Sequence, residues 1–297
     1  MEKENGMKMS RFDYIFEGIL VVFVAITAII CILPFLHVLA TSLSDSQAVN
    51  SGAVGVLPVN TTLEAYKKIF KDPQMMRSLW FSIFLTLMQV AISLTMTVAM
   101  AYPLSRKNFK WRKWMTIFIL ITMYFSGGTI PSYLLIQNLG LLDTIWSITI
   151  PGAISVYNLI VMRSFFNGIP DSLVESIKID GGSEIRALVS IVLPLSKPVL
   201  ATMALFYGVS RWNGYSDILY YIQNPNLQTL QMRLQQIIAQ NQMVMDVEEM
   251  MQNQGSYLET ETLKSACLIF ATIPILIMYP FLQKYFVKGM AIGSIKG

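Results

Sequence analysis

An all-α fold, a six-helix transmembrane bundle in a single domain over 1–297, is what this sequence predicts. Three observations lead there: 54% of the residues are hydrophobic against 13% charged, charge-free windows of bilayer length recur, and basic residues gather at alternate window ends. An ordinary soluble domain carries about 25% charged residues, and a soluble fold could not hide this much apolar surface. About 20 apolar residues cross the hydrocarbon core, and an ionised group at its middle costs several kcal/mol. On that rule the expected spans are 15–41, 78–105, 113–137, 144–165, 197–218 and 263–284.

The first span follows a short basic stretch, and Val38-Leu39-Ala40 within it loosely resembles a cleavage site. Its apolar run exceeds the length of a secretion-signal core, so an uncleaved helix is expected. The second, third, fourth and sixth spans rest on the charge-free windows 78–105, 115–142, 144–162 and 265–283. The fifth is the weakest, because Arg211 interrupts it. Lys3, Lys8 and Arg11 precede the first span, Arg106, Lys107, Lys110, Arg112 and Lys113 crowd the loop after the second, and Lys284, Lys288 and Lys296 follow the sixth. Six spans put all three groups on one side, which the positive-inside rule makes the cytoplasm, with both termini there. The other side then receives 45–76, where Lys67, Lys68 and Lys71 are a partial exception, the turn at Asp143, and an outer loop over 219–261 with Asp246, Glu248, Glu249, Glu259 and Glu261.

Several function classes fall away. The net charge of +4 comes from scattered residues, so no nucleic acid is expected as a partner. Cys31 and Cys267 sit in apolar runs without metal or redox spacing. His37, the single histidine, has no second imidazole or carboxylate beside it and reads as a buried structural side chain. No paired carboxylate, nucleophile with base, or metal-ligand set lies in the spans, so the chain is not expected to be an enzyme. No G-x-x-x-x-G-K-[ST] loop is present, so no nucleotide or other cofactor is expected on this chain.

The segment 170–194 carries the clearest local pattern. Ser172 with Glu175 matches a capping box, Leu173, Val174 and Ile177 share a helical face, and Gly181-Gly182 supplies a stop. Two short surface helices joined by a reversal are expected. Glu175, then Gly181, then Ile191 with Leu193-Pro194 resemble the cytoplasmic loop of ABC importer permeases, Glu-Ala-Ala-x3-Gly-x9-Ile-x-Leu-Pro. Ser176 and Ile177 stand where that pattern has two alanines.

Leu193-Pro194-Leu195-Ser196-Lys197-Pro198, Trp212-Asn213, Glu261-Thr262-Leu263-Lys264 and the tail from Gln283 through Gly297 resemble the carbohydrate-uptake, maltose-permease-like branch, in particular its LplC-like oligosaccharide permeases. The resemblance implies a bundle of the ABC importer permease type with a cytoplasmic coupling-helix loop. It further implies a multi-pass protein of the bacterial cytoplasmic membrane that pairs with a second homologous permease subunit. Two copies of a cytoplasmic ABC ATPase would carry ATP and Mg, and an extracytoplasmic solute-binding lipoprotein would deliver an oligosaccharide. Glu175, Ser176, Asp180, Gly181, Gly182, Leu193 and Pro194 are the ATPase-coupling residues it implies.

Sugars are gripped by aromatic faces and hydrogen-bonding side chains, which a lipid-facing position rejects. Tyr157 and Asn158, then Tyr207, Arg211, Trp212, Asn213 and Tyr215, are the substrate-path candidates on that ground. Arg211 lies ~21 Å along a helix from Lys197 at 1.5 Å per residue, in the outer half. It would contact a uronate carboxylate or else snorkel to the outer headgroups. The alternative function is an ion-coupled secondary carrier for a small polar solute, which would want intramembrane carboxylates and related halves. The spans offer essentially neither.

Overall fold

The computed structural model describes residues 11–239 and 257–294, and every regular element among them is helical. The chain divides into two compact units, Met1–Ile69 with Ile238–Phe270 and Phe70–Ile237 with Ala271–Gly297.

In the first unit, helix Arg11–Ser42 contains the apolar stretch Tyr14–Ser42, whose most apolar window has no buried residue. A helix that is apolar on every side and covered on none requires lipid or another protein around it. Its last turn packs Ala40 with Ala48 and Val54 in a small cluster. His37 departs from expectation: it is exposed, and its Nδ1 bonds the Gly55 carbonyl at 2.8 Å.

The second unit is built around helix Pro73–Ser105, which Asp72 caps by accepting from the Gln74 and Met75 amides. One stripe of this helix is buried at three- and four-residue spacing, Ser78, Ser82, Leu85, Gln89, Ser93, Thr97 and Ala101, and all but Leu85 and Gln89 are small. Small and polar residues let backbones approach closely, and helices Val156–Asn167 and Lys197–Asn213 pack against it. Leu159, Met162, Phe166, Met203 and Tyr207 from those helices form the main core with Ala101, Tyr102 and Leu104. A second cluster gathers Leu85, Ile136, Ile148, Ile218, Tyr221 and Met232.

The span pattern differs from six unbroken helices. Tyr14–Ser42, Pro73–Ser105 and Glu261–Pro280 are long and apolar enough to cross a membrane, and two bent pairs bring the count up to five among the described residues. The expected span 113–137 is Arg112–Tyr124 and Thr129–Asn138, bent by 116°. Gly128 at the break has φ 86, a conformation L side chains resist, and Pro131 falls in the first turn of the new helix, where its missing N–H is tolerated. The expected span 144–165 is Ile145–Thr149 and Val156–Asn167, parted by Pro151-Gly152. The expected span 197–218 ends as a helix at Asn213 and bends by 81° at Ser196 from the preceding Glu184–Leu195. Of the outer loop 219–261, residues 240–256 lie outside the described residues, while 230–239 form a helix whose Leu230 amide donates to Ser82 Oγ at 2.7 Å.

Candidate functional site

Two places in the second unit concentrate the chemistry. The first is the segment 170–194. Helix Asp171–Ile179 starts two residues earlier than the expected capping box allows: Pro170 stands at the N-cap and no side chain among the described residues caps the helix, so Ser172 and Glu175 are both interior and exposed. The start is held by charge instead. Asp171 pairs with Lys107 at 3.0 Å and with Arg106 at 3.7 Å. The Lys107 hydrogen bond and charge, aided by Arg106, hold the Asp171 carboxyl below the usual carboxylate range against a smaller opposing effect of desolvation.

The far end of this helix is a complete Schellman stop. The Gly182 amide donates to the Ile177 carbonyl at 2.7 Å, the Gly181 amide to the Lys178 carbonyl at 3.0 Å, and Gly181 has φ 74. A Cβ on Gly182 would stand 2.4 Å from Ile177 Cγ2 and 2.8 Å from the Ile177 carbonyl oxygen. The isoleucine that replaces the second alanine of the loop pattern is therefore accommodated by a glycine. Val174 is buried and Ile177 packs beside it in the main core, whereas Leu173, expected on the same face, is exposed. Glu175, Ser176 and Asp180 point outward, together with the bare side chains of Ile179 and Ile185.

Beyond the reversal, Ser183 caps helix Glu184–Ala187 by accepting from the Arg186 amide. Glu184 takes Lys178 at 2.5 Å on one oxygen and the Tyr102 hydroxyl at 2.7 Å on the other, while Arg106 lies over the Tyr102 ring at 4.7 Å. Both ends of helix Asp171–Ile179 are thereby tied to the Ser105 end of helix Pro73–Ser105. Residues Leu188–Val192 form a π-turn just before Leu193-Pro194. Pro194 cannot donate to the carbonyl four residues back, and the turn widens where that bond is lost.

The second place is a cleft of about 430 Å³ lined by residues that include Gln89, Gly152, Ser210, Arg211, Asp217 and Tyr221. It sits beside the break at 150–155, whose freed backbone groups are satisfied by side chains. Gln89 Nε2 donates to the Thr149 carbonyl at 3.3 Å and the Gly152 carbonyl at 3.0 Å. The Ser155 amide donates to the Tyr207 hydroxyl at 3.0 Å, which also bonds Thr97 Oγ1 at 2.7 Å. An interruption at membrane depth is tolerable only with such replacements.

Arg211 does not snorkel. Its side chain is 7% exposed, Nη1 donates to the Ile148 carbonyl at 3.2 Å, Nη2 donates to the Gly214 carbonyl at 3.3 Å, and both nitrogens engage the Asp217 carboxylate. Of the other candidates, Tyr207 lines the cleft, Asn158 is buried, and Trp212 donates Nε1–H to the Ala271 carbonyl at 3.2 Å. Tyr215 packs in the second cluster, Tyr157 lies near Phe206, and Asn213 is exposed, so these three do not join the cleft lining. Sequence reasoning missed Gln89, Ser93 and Thr97, although their four-residue spacing was a readable signal. It also missed Asp217 as the partner of Arg211 and Tyr102, Lys107, Asp171 and Glu184 as the fastenings of the loop.

Comparison with known proteins agrees with this architecture. The chain is 41% identical to the polygalacturonan/rhamnogalacturonan transport system permease protein YtcP of Bacillus subtilis, over 98% of this chain and 100% of that one. It is also 41% identical to protein LplC of the same organism, over the whole of both chains. A chain in the crystal structure of a bacterial ABC transporter involved in the import of the acidic polysaccharide alginate superposes with a TM-score of 0.85 at 33% identity, covering 94% of this chain and 99% of that one. Residues 93–292 match the family described as binding-protein-dependent transport system inner membrane component, and the chain belongs to that family.

Proposed function

We propose that this chain is one of two membrane-spanning subunits of an ATP-driven importer that carries an oligosaccharide across the bacterial cytoplasmic membrane. Family membership supports the transport role, and the carbohydrates named for its relatives, acidic ones among them, support a carbohydrate cargo. The observation that carries the mechanism is the build of 170–194. A short helix is held at both ends to helix Pro73–Ser105 and packed beneath by Val174 and Ile177, while it turns Glu175, Ser176, Asp180 and Ile179 outward. An element that is rigid toward its own bundle and bare on its other face is suited to receive a push. Gly181 and Gly182 shape its stop, and Leu193-Pro194 begins the return toward helix Lys197–Asn213.

In this reading two ATPase chains, carrying ATP and Mg, grip the outward face and rock the spans between two states, with a second permease subunit opposite and an extracytoplasmic binding lipoprotein delivering the sugar. The basic loop after Ser105 lies on the same end as 170–194, since Lys107 meets Asp171. The positive-inside rule then supports a cytoplasmic location for that end and, with six spans, for both termini. Tyr207 and Arg211 are the substrate-path candidates that line the cleft. Tyr157, Asn158, Trp212, Asn213 and Tyr215 lie outside it, and on the present geometry they are assigned to packing or to other surfaces. The ion-coupled carrier finds no support among the relatives described above.

A single cysteine at Ser176, in a Cys31→Ser, Cys267→Ser background, tests the reading. Bifunctional cross-linking in native membranes is expected to join it to an ATPase chain, and a cysteine at Ser126 is expected to stay unjoined. Equal or absent cross-linking at both positions would count against a coupling role for the loop.

A further inference from the structure

Arg211 is built as a carboxylate receptor and is already occupied. Both terminal nitrogens of the guanidinium meet the two oxygens of Asp217, the paired geometry that arginine offers to any carboxylate. The two partners are not equally fixed. The arginine side chain is 7% exposed and is also held by the Ile148 and Gly214 carbonyls, so its aim does not depend on the aspartate. The aspartate side chain is 30% exposed, its further hold is the neighbouring Ile218 amide, which donates to Oδ1 at 3.1 Å, and it sits in the first turn of the short helix Ser216–Tyr221, just past the end of helix Lys197–Asn213. Asp217 is the partner that can leave.

The space in front of the pair suits a sugar. The cleft measures about 430 Å³, inside the roughly 300–1,000 Å³ range of small-molecule sites. Ser210, Ser216 and Tyr221 bring hydroxyls to its wall. Two atoms of lining residues more than nine-tenths buried, Gln89 Oε1 and Arg211 Nε, have no partner among the described residues, although buried polar groups almost always find one.

We propose that Arg211 binds the carboxylate of a uronate unit in an acidic oligosaccharide, and that Asp217 is an exchangeable internal counter-ion that masks Arg211 when no sugar is present. The inference rests on the importer reading above and assigns the substrate class at that site. On entry the uronate takes the place of Asp217, which turns to the rim with its charge intact, so the guanidinium is never left unpaired in a low-dielectric wall. Asp217 returns as the sugar moves on. A site for transit must let go, and a counter-ion covalently attached beside it supplies the competition that keeps binding weak. A neutral sugar gains nothing from the exchange and is disfavoured.

The test uses the detergent-purified transporter complex and measures calorimetric binding of trigalacturonate and of its fully methyl-esterified form. Wild type is expected to bind the acid more tightly than the ester. Asp217→Asn, which removes the competitor, is expected to bind the acid about tenfold more tightly with the ester unchanged, and Arg211→Gln is expected to erase the preference. Equal binding of acid and ester by wild type, or no gain for the acid in Asp217→Asn, overturns the proposal. If a variant loses the wild-type elution profile, the wild-type comparison of acid with ester decides by itself. ATPase association is scored on the same preparations: a complex that keeps its ATPase yet binds acid and ester alike sinks the counter-ion alone, whereas a chain that never associates with one sinks the importer reading.

Discussion

Gly182 has no room for a methyl group, and the obstacle is a single neighbour. An added Cβ meets the side chain and the carbonyl of Ile177. Gly182→Ala is therefore expected to cost about 1–3 kcal/mol, as overpacking does, seen as a lower melting temperature of the purified complex. Ile177→Ala in the same chain is expected to recover part of the loss, because the carbonyl contact remains. Full additivity of the two substitutions would show that they do not meet. Gln89 makes the second residue-scale case. Gln89→Leu keeps the volume but leaves the Thr149 and Gly152 carbonyls without their donor. About 1–3 kcal/mol per stranded group is expected, and an unchanged melting temperature would mean that water or another side chain replaces it.

Among elements, helix Asp171–Ile179 depends on fastenings that differ in kind. Its C-terminal stop is a backbone motif that needs no charge, although the Lys178–Glu184 pair just beyond it does. Its N-terminal tie, Asp171 to Lys107, is exposed and should respond to pH and salt. Because the folded carboxyl is held below its ordinary range, its contribution is fully present above the ordinary aspartate pKa of about 3.9 and is lost as pH falls through the lower folded value. Hydrogen exchange should show the first turn of this helix losing protection in that acid window, and also at neutral pH as salt rises, while the Gly181–Gly182 amides stay protected. Equal loss at both ends would contradict the assignment.

The same scale shows what the sequence made legible. Hydropathy located Tyr14–Ser42, Pro73–Ser105 and Glu261–Pro280, and the glycine pair announced the reversal at Gly181. It did not reveal the breaks inside 113–137 and 144–165. Apolar side chains fill those windows, while what breaks them is the backbone at Gly128 and at Pro151-Gly152. What makes the second break tolerable is Gln89, about sixty residues away in the chain. Arg211 was visible as a charge in an apolar run, but its partner lies beyond the helix end at Asn213, where no helical spacing links the two. The capping box failed because Pro170 set the start of the helix two positions earlier.

At the scale of the whole molecule, the proposed importer takes its energy from an ATPase that docks on the bare face of 170–194. The most direct measurement is a tagged purification from membranes in mild detergent, wild type beside Glu175→Ala, with the co-purifying chains identified and ATP hydrolysis assayed. Glu175 is exposed and supports no contact within its own chain among those described, so its loss should leave the fold intact. Wild type is expected to bring down a second permease and an ATPase with hydrolysis stimulated by the loaded binding protein, and Glu175→Ala to lose the ATPase or its stimulation. A wild-type chain that purifies without either partner and shows no such hydrolysis would contradict the importer reading.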